Sequence, residues 1–278
     1  MNLICPDCRR PLKPIEKGYS CTHCASLFDR REGDIFDLLP KWNKVGDEVI
    51  YRHPEFKAQF PHLPEIRRYF YTRKMARWSM SWGHKNTVRL LGKRVQGVSI
   101  DLGVGHGDHY DYVEDGDRLI GVDYDLEALQ EIRKKGCQAP LLRTDLSRLP
   151  FPDRYFDTIR STYAFEHLYY LEVCLEEIFR TLKDDGVLVA SFPVVGGLFM
   201  DFLSWLGPQR EFCRKYHLNW KQVLNIEHCN SSRRILEAVA RIFNVDRIIW
   251  SPFGIPSHNL NMFVTVLARK NLEFISKI

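Results

Sequence analysis

No stretch of 18 or more uninterrupted apolar residues occurs in this 278-residue chain, which argues against a membrane-spanning helix. The N-terminus, MNLICPDCRR, lacks the basic, then apolar, then small-residue succession of a secretory signal. There is no internal repeat and no low-complexity tract. The weak hydrophobicity of disordered chains is also missing, since 45% of residues are hydrophobic and 27% charged. A soluble, cytoplasmic, globular protein is expected, with one large domain and a small one at about 100–200 residues per domain. A body of this size buries enough surface to fold without disulfides.

The net charge of +5 hides an uneven distribution. Residues 1–40 carry six basic and six acidic side chains, residues 97–278 carry 21 and 25, and residues 41–96 carry 13 and four. The basic excess therefore sits in a connecting segment, which divides the chain into three parts: 1–40, 41–96 and 97–278. In the connector, Pro54, Pro61 and Pro64 discourage a helix before Glu65. From Glu65 to Leu91 a helix is expected, with Ile66, Tyr69, Phe70, Met75, Trp78 and Val88 on one face and Gly83 interrupting it. Lys and Arg here alternate with Trp42, Tyr51, Phe56, Tyr69, Phe70, Tyr71, Trp78 and Trp82, a mixture that suits RNA phosphates and bases. The plainer reading is a helix whose aromatics pack inward while Arg67, Arg68, Arg73, Lys74 and Arg77 face water.

Four of the eight cysteines form two Cys-x-x-Cys pairs, Cys5/Cys8 and Cys21/Cys24, separated by twelve residues. Each pair makes a turn that presents two thiolates, and two turns close a tetrahedral shell around structural zinc. About 40 residues supply too little core alone, so the metal would contribute the folding energy. Four thiolates leave no open position, which disfavours a catalytic zinc. The other reading is four packed or redox-active cysteines. Cys137, Cys174, Cys213 and Cys229 are scattered and read as reduced thiols.

From Gly97 short apolar runs alternate with amphipathic stretches. Strands are expected at Val98–Leu102, Arg118–Val122, Pro140–Arg143, Phe156–Ser161, Val187–Phe192, Val245–Trp250 and Met262–Ala268. Helices are expected at Leu126–Lys135, Leu171–Leu182 and Ser232–Phe243. Such alternation implies a mainly parallel sheet covered by helices on both faces.

The first strand runs into Asp101-Leu-Gly103-Val-Gly105-His106-Gly107, where glycines permit positive φ and close approach of a ligand. The second ends in Asp123, suited to ribose hydroxyls, and Asp145 follows the third, where an adenine amino group could donate. Asp101 would repel a pyrophosphate but attract an amino group. These motifs, with Phe165-Glu166-His167 after the fourth strand and Glu177-Ile-Phe-Arg-Thr-Leu-Lys-Asp-Asp-Gly186 before the fifth, resemble the class I S-adenosylmethionine-dependent methyltransferases. The resemblance is to their small-molecule branch with a Glu-His motif. It implies a Rossmann-like, seven-stranded α/β sheet with an antiparallel last strand. It also implies that Asp101, Gly103, Gly105 and His106 line the methionine end of the cofactor, Asp123 and Tyr124 the ribose, Asp145 and Leu146 the adenine, with Tyr163 close by. Residues 1–40, including Phe28-Asp-Arg-Arg-Glu-Gly-Asp-Ile-Phe-Asp-Leu-Leu-Pro40, resemble the zinc-ribbon activator of RNA and protein methyltransferases.

Methyl transfer needs the nucleophile aligned and, for a hydroxyl, its proton removed. Glu166, His167 and His228 are the catalytic candidates, with Tyr163 and Tyr216 as further groups. The alternative for Glu166 and His167 is that they cap or orient the following helix. No Asn-Pro-Pro-Tyr motif, used for amide or adenine nitrogens, is present. An insertion at about 194–230 opens with the apolar VVGGLFMDFLSWLG, residues 194–207, expected as a lid or a packed helix in preference to a shallow membrane contact. The leading expectation is methyl transfer to a small-molecule or lipid-linked acceptor. The competing ones are an RNA base methyltransferase and a non-catalytic scaffold whose ribbon binds a partner, and a nicotinamide-dependent oxidoreductase fits the glycine spacing less well.

Overall fold

The computed structural model describes residues 1–41, 61, 62, 65, 66, 69, 73–217 and 219–273. The expectations placed on Trp42, Tyr51, Phe56, Arg67, Arg68, Phe70 and Tyr71 lie outside the described residues.

Seven strands arise from residues 97–278: β5 (Ser99–Leu102), β6 (Leu119–Asp123), β7 (Leu141–Arg143), β8 (Phe156–Thr162), β9 (Leu182–Pro193), β10 (Phe243–Ser251) and β11 (Phe263–Lys270). They lie side by side in the order β7-β6-β5-β8-β9-β11-β10. The first five run parallel, and β11 runs antiparallel between β9 and β10.

The sheet does not stop at seven strands. The N-terminal block forms β1 (Lys13–Ile15), β2 (Gly18–Ser20), β3 (Leu27–Arg31) and β4 (Ile35–Asp37), and β4 pairs in parallel with β7 to give a sheet of eleven. The expectation of a seven-stranded sheet merely preceded by a ribbon is corrected accordingly. The physical reason is the edge: β7 has only three residues, all buried, and its open backbone groups need a partner. Ile35 lies opposite Leu141, and the Leu38 N–H donates to the Arg143 carbonyl at 2.8 Å. Further ties run from the N-terminal block to the body. Arg9 binds Glu177 at 2.7 Å, and Arg148 donates to the Pro6 carbonyl at 2.7 Å. Leu3, Cys5, Leu12, Phe28 and Leu38 belong to the same apolar core as Ile100, Phe151 and Leu175.

Helices cover both faces. On one lie α3 (Leu171–Thr181) and α7 (Ser232–Ile242), over Ile100, Leu102, Phe156 and Ile159. On the other, α2 (Leu126–Lys134) packs Leu129 and Ile132 on Val104 and Leu141. The Asp125 carboxylate starts α2 by accepting the Glu127 and Ala128 N–H groups, while Arg133 and Lys134 complement the dipole at its end. Ser231 caps α7 in the same way through the Arg234 N–H. The insertion forms three helices: α4 (Leu198–Leu206), α5 (Pro208–Tyr216) and α6 (Trp220–Glu227).

The connector ends in α1 (Lys74–Leu91), which runs through Gly83 without a break. The expected interruption does not occur because Gly83 is where the helix touches the sheet. The Tyr163 hydroxyl donates to the Met80 carbonyl at 2.6 Å and accepts the Gly83 N–H at 3.0 Å. A methyl group at Gly83 would lie 2.5 Å from that oxygen. Arg73, Lys74 and Arg77 face water as expected, whereas Trp78 is also exposed, its ring edge-on to Trp82.

Gly83→Ala should therefore destabilise the protein by about 1–3 kcal/mol through overpacking, although alanine is the better helix former by about 1 kcal/mol. A urea midpoint equal to or above that of the unaltered protein would contradict this account of the contact.

Candidate functional site

The carboxylates expected to hold a ligand sit at the C-terminal ends of three adjacent strands. Asp101 lies opposite Gly121, and Asp123 opposite Arg143. Each acid is thus two residues further along than its neighbour, a step of about 6–7 Å at 3.3 Å per residue. Strand side chains alternate between faces, so Asp101 and Asp123 share one face. The structure brings these two together closely enough for the Asp123 charge to raise the pKa of Asp101. Asp145 stands two residues past Arg143, and its Oδ1 accepts the Ser147 N–H at 2.7 Å and the Ser147 hydroxyl at 2.6 Å.

Asp101 is buried, with Oδ1 lacking a hydrogen-bond partner. Burial pushes its pKa up to about 7, against a downward pull from Arg160 and a smaller upward push from Asp123. Burial also raises Asp123, opposed by the Asp125 and Gly105 N–H groups, each 2.8 Å from its oxygens. The glycine loop is thereby folded over the Asp123 carboxylate. Gly103 takes φ +74°, and a methyl group there would meet the Ala164 side chain at 2.5 Å. The remaining expected contacts are more peripheral. His106 pairs with Glu131 at 2.9 Å on a half-exposed surface, and Leu146 joins the core. The Arg143 guanidinium lies 5.5 Å from the Tyr124 ring centre. The Tyr163 hydroxyl is engaged with α1 as described above.

Sequence reasoning missed the groups behind Asp101. Arg160 sits opposite Asp101 in the ladder and is buried. Its guanidinium lies 3.4 Å from His109 Nε2, and His109 Nδ1 lies 3.2 Å from His84 Nδ1. Arginine only donates, so His109 accepts at Nε2, carries its proton on Nδ1 and donates to His84. Burial lowers the pKa of His84 to about 4 and, with the neighbouring Arg160 charge and His84, holds that of His109 well below its ordinary value. The available signal was a charged residue in the middle of an otherwise buried strand.

Past β8, Glu166, His167 and His228 converge, with one ligand atom of each within 4.8 Å of the others. Glu166 is buried and burial raises its pKa to about 8, while Oε2 has no hydrogen-bond partner. His167 Nδ1 bonds the Glu227 carbonyl, and its Nε2 lies 3.9 Å from Glu166 Oε1. A carbonyl only accepts, so Nδ1 donates to it and carries a proton. The His228 ring is centred 5.1 Å from that of His167. Neither Glu166 nor His167 caps α3, whose N-cap is Tyr170 with no side-chain cap bond. Tyr216 lies elsewhere and donates to Glu65.

The four paired cysteines also converge. Cys5 and Cys24 sulfurs are 3.6 Å apart and those of Cys8 and Cys21 3.4 Å. Four thiolates about 2.3 Å from a zinc ion would sit about 3.8 Å from one another, so the cluster fits the ion with small adjustments.

The insertion's first helix, α4, is not packed on the sheet edge, since none of its residues is buried. Leu198 is 71% exposed and Phe202 and Trp205 53% each. Phe199 stacks edge-on with Phe253 at 5.1 Å, joining α4 to the β10–β11 loop, where Phe253, Ile255 and Leu260 are exposed. Among the described residues, no helix is long and apolar enough to cross a membrane.

Comparison with known proteins gives residues 100–190 a match to the methyltransferase domain family. A probable S-adenosylmethionine-dependent methyltransferase of Mycolicibacterium smegmatis is 30% identical over 112 residues, covering 40% of this chain and 44% of the relative. A putative methyltransferase of Encephalitozoon cuniculi is 28% identical over 194 residues, covering 64% of this chain and 88% of the relative. The chain thus spans less than half the length of the first relative. A solved Pyrococcus horikoshii structure matches with TM-score 0.50 and 18% identity over 78% of this chain and 98% of its own. The fold is the α/β methyltransferase fold.

Two outcomes follow from the site's electrostatics and its cysteine cluster. Asp101 has a folded pKa above its ordinary 3.8, so its favourable contribution is complete below about pH 4 and is lost as pH rises through 7. Relative to the unaltered protein, Asp101→Asn should gain stability over that interval by up to about 1.4 kcal/mol per pH unit. Urea titrations at fixed pH showing a constant difference would refute it. With zinc held by the four cysteines, stripping it with a chelator should lower the melting temperature by several degrees or more, because the N-terminal block carries β4. A melting curve unchanged by chelation would remove the metal from the fold.

Proposed function

We propose that the protein is an S-adenosylmethionine-dependent methyltransferase acting on a small-molecule or lipid-linked acceptor, with structural zinc at Cys5, Cys8, Cys21 and Cys24. The observation that carries the reading is the ascending pair Asp101 and Asp123 beside the glycine loop, with Asp145 one strand further. A buried carboxylate with an unpartnered oxygen suits a cationic amino group. Each oxygen of Asp123 already holds one N–H but has a second lone pair, so ribose hydroxyls can be added without breaking the loop contacts. Asp145 keeps acceptor capacity for an adenine amino group. When bound, S-adenosylmethionine supplies an electrophilic methyl group on a sulfonium. Glu166, His167 and His228 then meet the acceptor hydroxyl and orient it toward the methyl group. Ala164 lies against Gly103, which puts this cluster two residues from the glycine loop.

The acceptor class rests on α4. Its open apolar surface continues into α5, where Arg210, Arg214 and Lys215 are exposed and border a basin of about 600 Å³ beside Leu206. An apolar helix followed by a cationic one suits the boundary of an anionic lipid surface, where lipid-linked acceptors reside. Label from isotopic cofactor should enter a lipid or low-mass fraction of cell extract, and label confined to RNA would reject the reading. The protein should also sediment with vesicles containing anionic lipid and release them after the double change Phe202→Glu and Trp205→Glu. Equal sedimentation of the two proteins would detach α4 from the acceptor.

A further inference from the structure

We propose that Glu166, His167 and His228 form a binding site for a divalent first-row metal ion, distinct from the four-cysteine cluster. Imidazole and carboxylate ligands suit manganese, iron or zinc and differ in chemistry from four thiolates.

Three features of the cluster point to a cation. The first is a buried carboxylate without compensation. Among the described residues Glu166 has no Lys or Arg partner, and its one ion-pair contact is His167 at 3.9 Å. Burying an unpaired carboxylate is costly, and such groups are paired, protonated or bound to metal. The second is the orientation of His167. Its Nδ1–H is held by the Glu227 carbonyl, which turns Nε2 toward Glu166, 3.9 Å from Oε1. Metal-binding histidines are fixed in this manner, with the second ring nitrogen donating to a carbonyl or carboxylate. The third is that the three groups come from two separate segments locked together by other bonds. The Asn230 N–H donates to the Glu166 carbonyl at 3.1 Å, and the Asn230 side chain donates to the Phe165 and Leu168 carbonyls at 2.9 and 2.6 Å. The ligand atoms are therefore held near one another by backbone contacts that involve none of the three side chains.

Three protein ligands leave coordination positions open. The two histidines are only partly buried, so those positions face outward while Glu166 closes the floor. Resting on the proposed function, the ion would take the acceptor's hydroxyl oxygen as a further ligand, lowering its pKa and fixing its direction. That would restrict acceptors to those with an oxygen nucleophile.

The test uses the full-length, zinc-loaded protein and Mn²⁺ alone, a hard ion that does not compete for four thiolates. Free Mn²⁺ is followed by electron paramagnetic resonance during titration, with cofactor binding measured by calorimetry on the same samples. One Mn²⁺ should bind per chain, and Glu166→Gln or His228→Asn should weaken it by about 10–100-fold or more. His217→Ala, at the end of α5, should leave it unchanged. Two substitutions at different ligands guard against a folding failure in either, which a melting curve detects. No stoichiometric Mn²⁺ binding, or binding equally tight in both variants, overturns the proposal. If the cofactor binds while Mn²⁺ does not, the metal site falls and the methyltransferase reading stands. If Mn²⁺ binds and the cofactor does not, the reverse holds.

Discussion

The in-register placement of the buried Arg160 opposite Asp101 at the centre of the sheet is the constraint on which the crevice depends. The guanidinium on the neighbouring strand lowers the cost of burying a carboxylate with an open oxygen. Arg160 in turn is held by His109, and His109 by His84 on α1. The arrangement reaches from the floor of the crevice to the connector helix through groups that are all buried. Removing one member would leave the others unpaired in a medium of low dielectric constant, which costs several kcal/mol. The connector helix is therefore part of the site's construction, since it supplies both His84 and the Gly83 surface on which Tyr163 rests.

The ribbon plays a comparable part at the other end of the sheet. Arg143 lies at the end of β7, donates to the Tyr124 carbonyl at 3.0 Å and pairs with the buried Asp37 of β4 at 3.4 Å. One arginine thereby joins the ribbon's last strand to the loop that follows Asp123. The segment after Asp145 is fastened as well, through Arg148 to the Pro6 and Asp7 carbonyls. The two loops expected to meet the ribose and adenine thus lean on residues of the N-terminal block. Metal bound in that block would stiffen those loops through these contacts.

Much of this was legible in the sequence where the information is local. The strands from residue 97 onward and the three helices with strong apolar periodicity fall within a few residues of expectation, because burial on two faces or one writes a clear pattern. The Cys-x-x-Cys pairs converge as their spacing required. The failures are contacts between distant segments. Gly83 reads as a helix breaker until Tyr163, 80 residues away, is seen against it. The eleven-stranded sheet depends on an edge match between Ile35 and Leu141 that no periodicity reveals. His84 and His109 look like ordinary histidines, and their meeting depends on Arg160, 51 residues beyond the nearer one. For Glu166 and His167 the sequence left two readings, catalysis and capping of the next helix, and Tyr170 at that cap removes the capping one.

The insertion at 194–230 gains its meaning from its two ends. At one end Val194 returns to the core, its N–H bonded to the Met262 carbonyl, and at the other Asn230 ties the chain to the segment after β8. Between these anchors α4 keeps an apolar surface open and α5 a cationic one, while His228 lies close to the second anchor. A chain built only to cover the sheet edge would bury α4 and direct its charges outward at random. Here apolar contact, positive charge and a polar cluster occur in sequence along one excursion. The proposed lipid-linked acceptor rests on that order, an apolar tail meeting α4 and an anionic head α5. A buried carboxylate with an open oxygen beside two histidines costs stability, and such costs cluster where a group binds a ligand.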